Sequence, residues 1–136
     1  MLGIGMSTDE ESGVAEGVKI TMFDISDRSD VKEESTLVLD DLYGSHAAYD
    51  YKSVLADPEK NVIGLSGYSQ NGESYYLLTY NRSDRKFETI LQEEVNGNTS
   101  QGIRGIYIKD TLYVISGNII EPYEMNTGMN SGDNIL

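Results

Sequence analysis

A chain of 136 residues with 23 acidic and 10 basic side chains, net charge −13, is poorly suited to a nucleic acid or an anionic membrane surface. Affinity for either comes largely from Lys and Arg displacing counterions. The absence of cysteine excludes disulfides, thiolate metal sites and thiol nucleophiles, and ten tyrosines with fourteen glycines favour short strands and tight turns in one domain.

Period-two alternation between turn signals predicts about ten strands and no helix. The first runs from Leu2 to Met6 and ends in the polar, acidic loop Ser7 to Glu16. Val18 to Asp24 follows, with Val18, Ile20 and Met22 on one face, and the turn Ser26 to Asp30 leads into Glu34 to Leu39. These three read as the last strands of a four-stranded unit, residues 2–41, whose first strand is missing. A complete unit occupies residues 49–93. Its innermost strand is Ser53 to Ala56, followed by Asn61 to Ser66, Ser74 to Tyr80 and Lys86 to Gln92. Asp57-Pro58-Glu59-Lys60-Asn61 has the composition of a type I turn, with Pro where its fixed φ helps. A polar linker, Glu93 to Gln101, precedes a third unit over 102–136, made of Ile103 to Ile108, Thr111 to Ser116 and Ile119 to Met125. Pro122 marks that last strand as an edge or bulged one. The tail from Asn126 reads as loose, with Ile135-Leu136 as the start of a fourth strand.

The units repeat. Lys52 to Gly67 and Ile103 to Gly117 are both strand, turn and strand, and both close in Ser-Gly, which pairs Ser66 with Ser116. Phe23-Asp24, Tyr80-Asn81 and Tyr123-Glu124 fall in equivalent third strands, where the aromatic is expected to pack on the next unit and the polar residue to open a turn. Repetition of a four-stranded sheet that must bury both faces on its neighbours is the pattern of a β-propeller. The expected fold is therefore all-β, about two and a half antiparallel blades of a larger propeller. Exposed strand edges at its ends predict self-association. No apolar run approaches the roughly 20 residues of a membrane span, and Met1 to Met6 lacks the basic start of a signal peptide. Any signal or anchor is expected upstream.

Gly3-Ile4-Gly5-Met6, Ile20-Thr21-Met22-Phe23-Asp24-Ile25-Ser26-Asp27, Tyr51-Lys52-Ser53 with Pro58-Glu59-Lys60-Asn61, and Arg104 to Ile108 with Thr111 to Ser116 occur in that order. Together they resemble the C-terminal β-propeller domain of a family of secreted or membrane-anchored bacterial and archaeal proteins of unknown function. The likeness runs from Leu2 to Thr127. It implies an extracellular or cell-envelope location and brings no catalytic residues with it.

The residues that bear chemistry are weighed one by one. His46, the single histidine, has Ser45 and Asp50 near it, but triads are recognised by spatial roles, and a loop histidine between blades is the expected state. Asp24, Asp27 and Asp30 recur every third residue, with Asp9-Glu10-Glu11 and Asp40-Asp41 as further acids; they lack the pattern of an EF-hand loop, so turn formation is expected and calcium is the one metal worth testing. Glycines 3, 5, 64, 67, 102, 105 and 117 form no phosphate-loop motif and point instead to close backbone approach. Tyr43, Tyr49, Tyr51, Tyr68, Tyr75 and Tyr76 suit either blade packing or a stacking surface for a sugar or peptide, and Tyr75 and Tyr76 must face opposite ways, which predicts that one is outward.

The leading expectation is a non-enzymatic extracellular or cell-envelope binding module for a protein or glycan, with no cofactor and no assigned catalytic, ligand-binding or metal residue. The alternatives are a glycan-acting hydrolase using paired acids, and a calcium-stabilised surface domain.

Overall fold

A computed structural model describes residues 1–96, 100 and 102–132. Among them are ten strands in three antiparallel sheets. The first sheet is β1 (Leu2–Thr8), β2 (Ala15–Asp24) and β3 (Lys32–Leu39). The second is β4 (Leu55–Asp57), β5 (Val62–Ser69), β6 (Gly72–Asn81) and β7 (Lys86–Glu94). The third is β8 (Ile103–Ile108), β9 (Thr111–Ser116) and β10 (Ile119–Glu124). In every sheet each strand pairs with its neighbour in sequence, so the architecture is a partial β-propeller of three meandering blades.

The turns are built locally. Asp57 Oδ1 accepts the Glu59 and Lys60 amides at 2.8 and 3.0 Å, and Asn61 takes a left-handed backbone with φ 57° to open β5. The repeated acids behave as turn formers: Asp24 Oδ1 accepts from the Ser26 amide and Asp27 Oδ1 from the Ser29 amide, each at 2.9 Å, while Asp9 Oδ1 accepts from the Ser12 amide at 2.7 Å. The chain after β10 folds back, with the Ser131 amide donating to Pro122 O at 2.9 Å and Asn130 bridged to Tyr123. Pro122 thus lies on the outer strand of its sheet, and its carbonyl, not its absent N–H, makes the outward bond. The residues Ile135 and Leu136 lie outside the described residues, as do 97–99 and 101 of the linker; Glu93 and Glu94 belong to β7.

Two cores hold the three sheets together. Val18, Ile20 and Leu39 of the first sheet meet Ile63, Leu65, Tyr76 and Leu78 of the second. Val62, Tyr75, Leu77 and Leu91 on the other side of the second sheet meet Ile103, Leu112, Val114 and Tyr123 of the third. Successive residues of β6 therefore serve different cores, as a strand's two-residue period requires. The expectation that one of Tyr75 and Tyr76 faces solvent is corrected: they do point opposite ways, but both are buried, because β6 has a core on each face.

Three further expectations are corrected. The innermost strand of the second sheet is only Leu55–Asp57; Tyr51–Ser53 forms a 3₁₀ turn instead, capped by Asp50, whose Oδ1 accepts the Lys52 amide, and closed by Ser53 Oγ donating to Asp50 O. Ser66 and Ser116 are not structural equivalents. The hairpin turns differ in length, four residues after Asp57 and two after Ile108, so Gly67 matches Ser116 and Ser66 matches Ile115. Both serines instead point into the core between the second and third sheets from opposite sides. The third-strand aromatics pack on the preceding sheet, not the next one: Tyr80 Oη donates to Glu34 Oε2 of β3 at 2.9 Å, and Tyr123 joins the core shared with β6. Phe23, the first of the series, covers Gly3 on the outer side of the first sheet.

Candidate functional site

The segment from Asp40 to Val54 crosses from the outermost strand of the first sheet to the innermost of the second. It is pinned to the end of β5 by backbone pairing: the Tyr43 amide donates to Tyr68 O at 3.0 Å and the Tyr68 amide to Gly44 O at 2.9 Å. Gly44 leaves room for the Tyr68 ring, which a Cβ there would overlap and force to shift. Ser45 then starts the 3₁₀ turn His46–Ala48, its Oγ accepting the Ala47 amide at 3.1 Å and donating to Ser66 O at 2.5 Å.

This local wiring brings four rings together. Tyr43 stands 5.8 Å from Tyr68 between ring centroids, His46 stands 5.1 Å from Tyr68 and 5.6 Å from Tyr49, and the hydroxyls of Tyr49 and Tyr68 share a hydrogen bond of 2.8 Å. The rings meet tilted or edge to face, the arrangement favoured by aromatic quadrupoles. Tyr43 is 60 % and Tyr49 70 % exposed, so the cluster shows faces to solvent while holding its shape internally. Tyr51 is 80 % exposed on the following turn, with Lys52 Nζ 6.0 Å from its ring centre. Of the six tyrosines singled out in the sequence, the structure therefore gathers Tyr43, Tyr49 and Tyr68, leaves Tyr51 beside them, and commits Tyr75 and Tyr76 to packing. His46 joins the cluster, a partnership that sequence reasoning missed.

Ser45, His46 and Asp50 do not converge as nucleophile, base and orienting acid. Ser45 Oγ is spent on Ser66 O, His46 Nδ1 lies 3.5 Å from Ser66 Oγ, and Asp50 caps its own turn and faces Arg104 at 3.6 Å. Tyr43 also lines a cleft of about 790 Å³ between the first and second sheets, walled by the carboxylates of Glu16, Asp40, Asp41, Glu93 and Glu94. There Asp41 Oδ2 accepts from Tyr76 Oη at 2.5 Å and from Gln92 Nε2 at 3.4 Å. Among the described residues, no group of three or more His, Asp or Glu side chains has the placement of a metal site.

The tyrosines are also electrostatic reporters. Burial, then the Tyr49 hydrogen bond, pushes the Tyr68 hydroxyl up to about 12; burial and the nearby Glu121 carboxylate do the same for Tyr123. Burial raises Tyr75 further, and burial with the Asp41 bond raises Tyr76. A group whose folded pKa lies above its unfolded value of about 10 contributes stability that is complete below pH 10 and is lost as pH rises toward 12. The melting temperature is expected to fall above pH 10. Phenolate absorbance should show Tyr68, Tyr75, Tyr76 and Tyr123 ionising only above pH 10, together with unfolding. Ionisation of these four near pH 10 with the fold intact would refute this assignment.

The model of a family described as "Beta propeller domain" matches residues 1–128. Among curated proteins, one described as "Uncharacterized protein" from Archaeoglobus fulgidus is 32 % identical over 133 residues, which is 98 % of this chain and 18 % of that protein. The chain thus spans less than a fifth of the relative's length. No solved structure matches.

Proposed function

The chain belongs to the beta propeller domain family, and from that premise we propose that it is a non-enzymatic binding module acting outside the cell or at its envelope, whose ligand, a protein or a glycan, stacks on the patch of Tyr43, His46, Tyr49 and Tyr68. The observation that carries the reading is the exposure of Tyr43 and Tyr49 on a cluster fixed by backbone pairing and ring contacts. Rigid aromatic faces with polar tips bind sugars and peptide side chains at low entropic cost. The same reading asks for no metal or cofactor, and a melting shift with calcium would add one to it.

A glycan array and a peptide array, each probed with the native protein and with Tyr49→Ala, test the proposal. Truncating one stacked ring is expected to weaken a bound ligand about 3- to 10-fold, on the order of 0.5–1.5 kcal/mol, with the melting temperature little changed. Ligand binding that Tyr43→Ala and Tyr49→Ala both leave intact would move the site elsewhere. Fractionation of the source cells checks the location, and recovery in the cytosol would remove it from the proposal.

Association of copies belongs to this reading too, carried by a sheet face. The outer side of the third sheet presents Ile106, 49 % exposed, and Ile108, 60 % exposed, beside Tyr113 and Ile115. The first and second sheets bury the corresponding sides on their following sheets, so the first sheet of a second copy is the matching occupant. Sedimentation should show concentration-dependent association that Ile108→Asp abolishes. A monomer at tens of micromolar would count against it.

A further inference from the structure

The acidic cleft between the first and second sheets carries a charge that no described residue answers. Its walls are Glu16 at the start of β2, Asp40 and Asp41 after β3, the β5–β6 turn and the end of β7, so both sides are built from residues 15–94. Strand register turns the end of β7 toward it. Ser74 stands opposite Glu94 and Tyr76 opposite Gln92, and residues directly opposite in an antiparallel pair share a face. Tyr76 packs on the first sheet, so Ser74, Gln92 and Glu94 face that way too. Asp41 is fixed among them by the bonds from Tyr76 Oη and Gln92 Nε2.

No Lys, Arg or His lines the cleft, and among the described residues none of Glu16, Asp40, Asp41 and Glu94 is ion-paired. Ser74 is only 8 % exposed, and its hydroxyl, which lines the cleft, has no hydrogen-bond partner among the described residues. The Tyr43 ring, largely exposed, lines the same space. These groups suit a guanidinium, which pairs its N–H donors with carboxylates, lies against an aromatic face, and has donors left for a hydroxyl oxygen. A bare metal ion is a poorer match. The acids are spread along a cavity of about 790 Å³, and among the described residues no three of them converge on one point. Ligand pockets run to roughly 300–1,000 Å³, so the cleft has room for an arginine and its neighbours.

We propose that the cleft receives an arginine side chain of a basic peptide, held by Asp40, Asp41 and Glu94, laid against Tyr43 and hydrogen-bonded to Ser74. Tyr43 belongs to both the tyrosine patch and the cleft, so this assignment, which rests on the patch as the binding surface, narrows its ligand from a protein or glycan to a cationic peptide. Charge then supplies the selection. Neutral ligands would leave the Ser74 hydroxyl and the carboxylates unanswered.

The probe is the capped peptide Gly-Arg-Gly-Arg-Gly, compared with the same peptide carrying citrulline, which keeps the shape of arginine without its charge. Binding to the native chain is followed by calorimetry at low and high salt. The arginine peptide is expected to bind at least tenfold more tightly, with the difference shrinking as salt rises. Asp40→Asn with Glu94→Gln should weaken it at least tenfold. Glu59→Gln with Glu88→Gln removes the same charge from exposed positions outside the cleft and should leave binding within twofold. Ser74→Ala should weaken binding about three- to tenfold with the melting temperature unchanged, because that hydroxyl bonds nothing in the free chain. Equal loss in the two double variants, or displacement of the peptide by equimolar calcium, would overturn the proposal. So would equal binding of the citrulline peptide; if both peptides were then lost in Tyr49→Ala, the patch would stand without the cleft. Arginine-peptide binding that Tyr43→Ala weakens and Tyr49→Ala leaves intact would support the cleft and remove the wider patch.

Discussion

Gly105→Ala is expected to lower stability by about 1–3 kcal/mol, and Tyr75→Phe in the same chain to restore most of the loss. The Tyr75 hydroxyl sits between two backbones, those of Gly64 in β5 and Gly105 in β8, and a Cβ on either would overlap its oxygen. Tyr75 is completely buried, and its Oη has no hydrogen-bond partner among the described residues. A methyl on Gly105 therefore has no room unless the second and third sheets part. Removing the hydroxyl clears the space and also removes an unpaired polar atom, so Tyr75→Phe alone should be neutral or stabilising by about 1 kcal/mol. Urea melts of the two single variants and the double variant measure the coupling. Additive losses would show that the glycine serves another purpose.

Leu65→Ala and Leu77→Ala should each cost about 2–5 kcal/mol, the largest single effects in the molecule. Both side chains are fully buried, Leu65 in the core between the first and second sheets and Leu77 in the core between the second and third. For a domain whose total stability is on the order of 5–15 kcal/mol, either loss is a large fraction. The pair also reports on cooperativity. If the three sheets unfold as one unit, each variant lowers a single transition with unchanged denaturant slope. Two separated transitions in Leu77→Ala would show that the third sheet releases on its own, and no loss in either variant would contradict the packing described.

Particular residues show how much of this was legible in the sequence. Ile103–Ile108 and Thr111–Ser116 were readable to the residue, because a two-residue turn and strict alternation leave one register. β6 was readable as a strand but not in its burial. Tyr75, Tyr76, Leu77 and Leu78 are all buried, and a strand enclosed on both faces carries no polar alternation from which to read a side. The Ser-Gly endings drew a match that the structure shifts by one residue, since turn length, not residue identity, sets which face a side chain takes. Of the site, the wealth of tyrosine in the middle third was visible. Its assembly was not, because it depends on the bridge between Gly44 and Tyr68, a contact across 24 residues that no local pattern encodes.

Among the described residues all pairing between strands joins elements adjacent in the chain, with turns as short as two residues. Closing such loops costs little entropy, so each hairpin can form on the microsecond scale without waiting for the rest. The slow event in folding is then expected to be the docking of preformed sheets, in which Tyr75 and Leu77 lose their water at one seam and Leu65 at the other. Substitutions in the turns should change how fast sheets appear, whereas substitutions in the two seams should change how long they stay together.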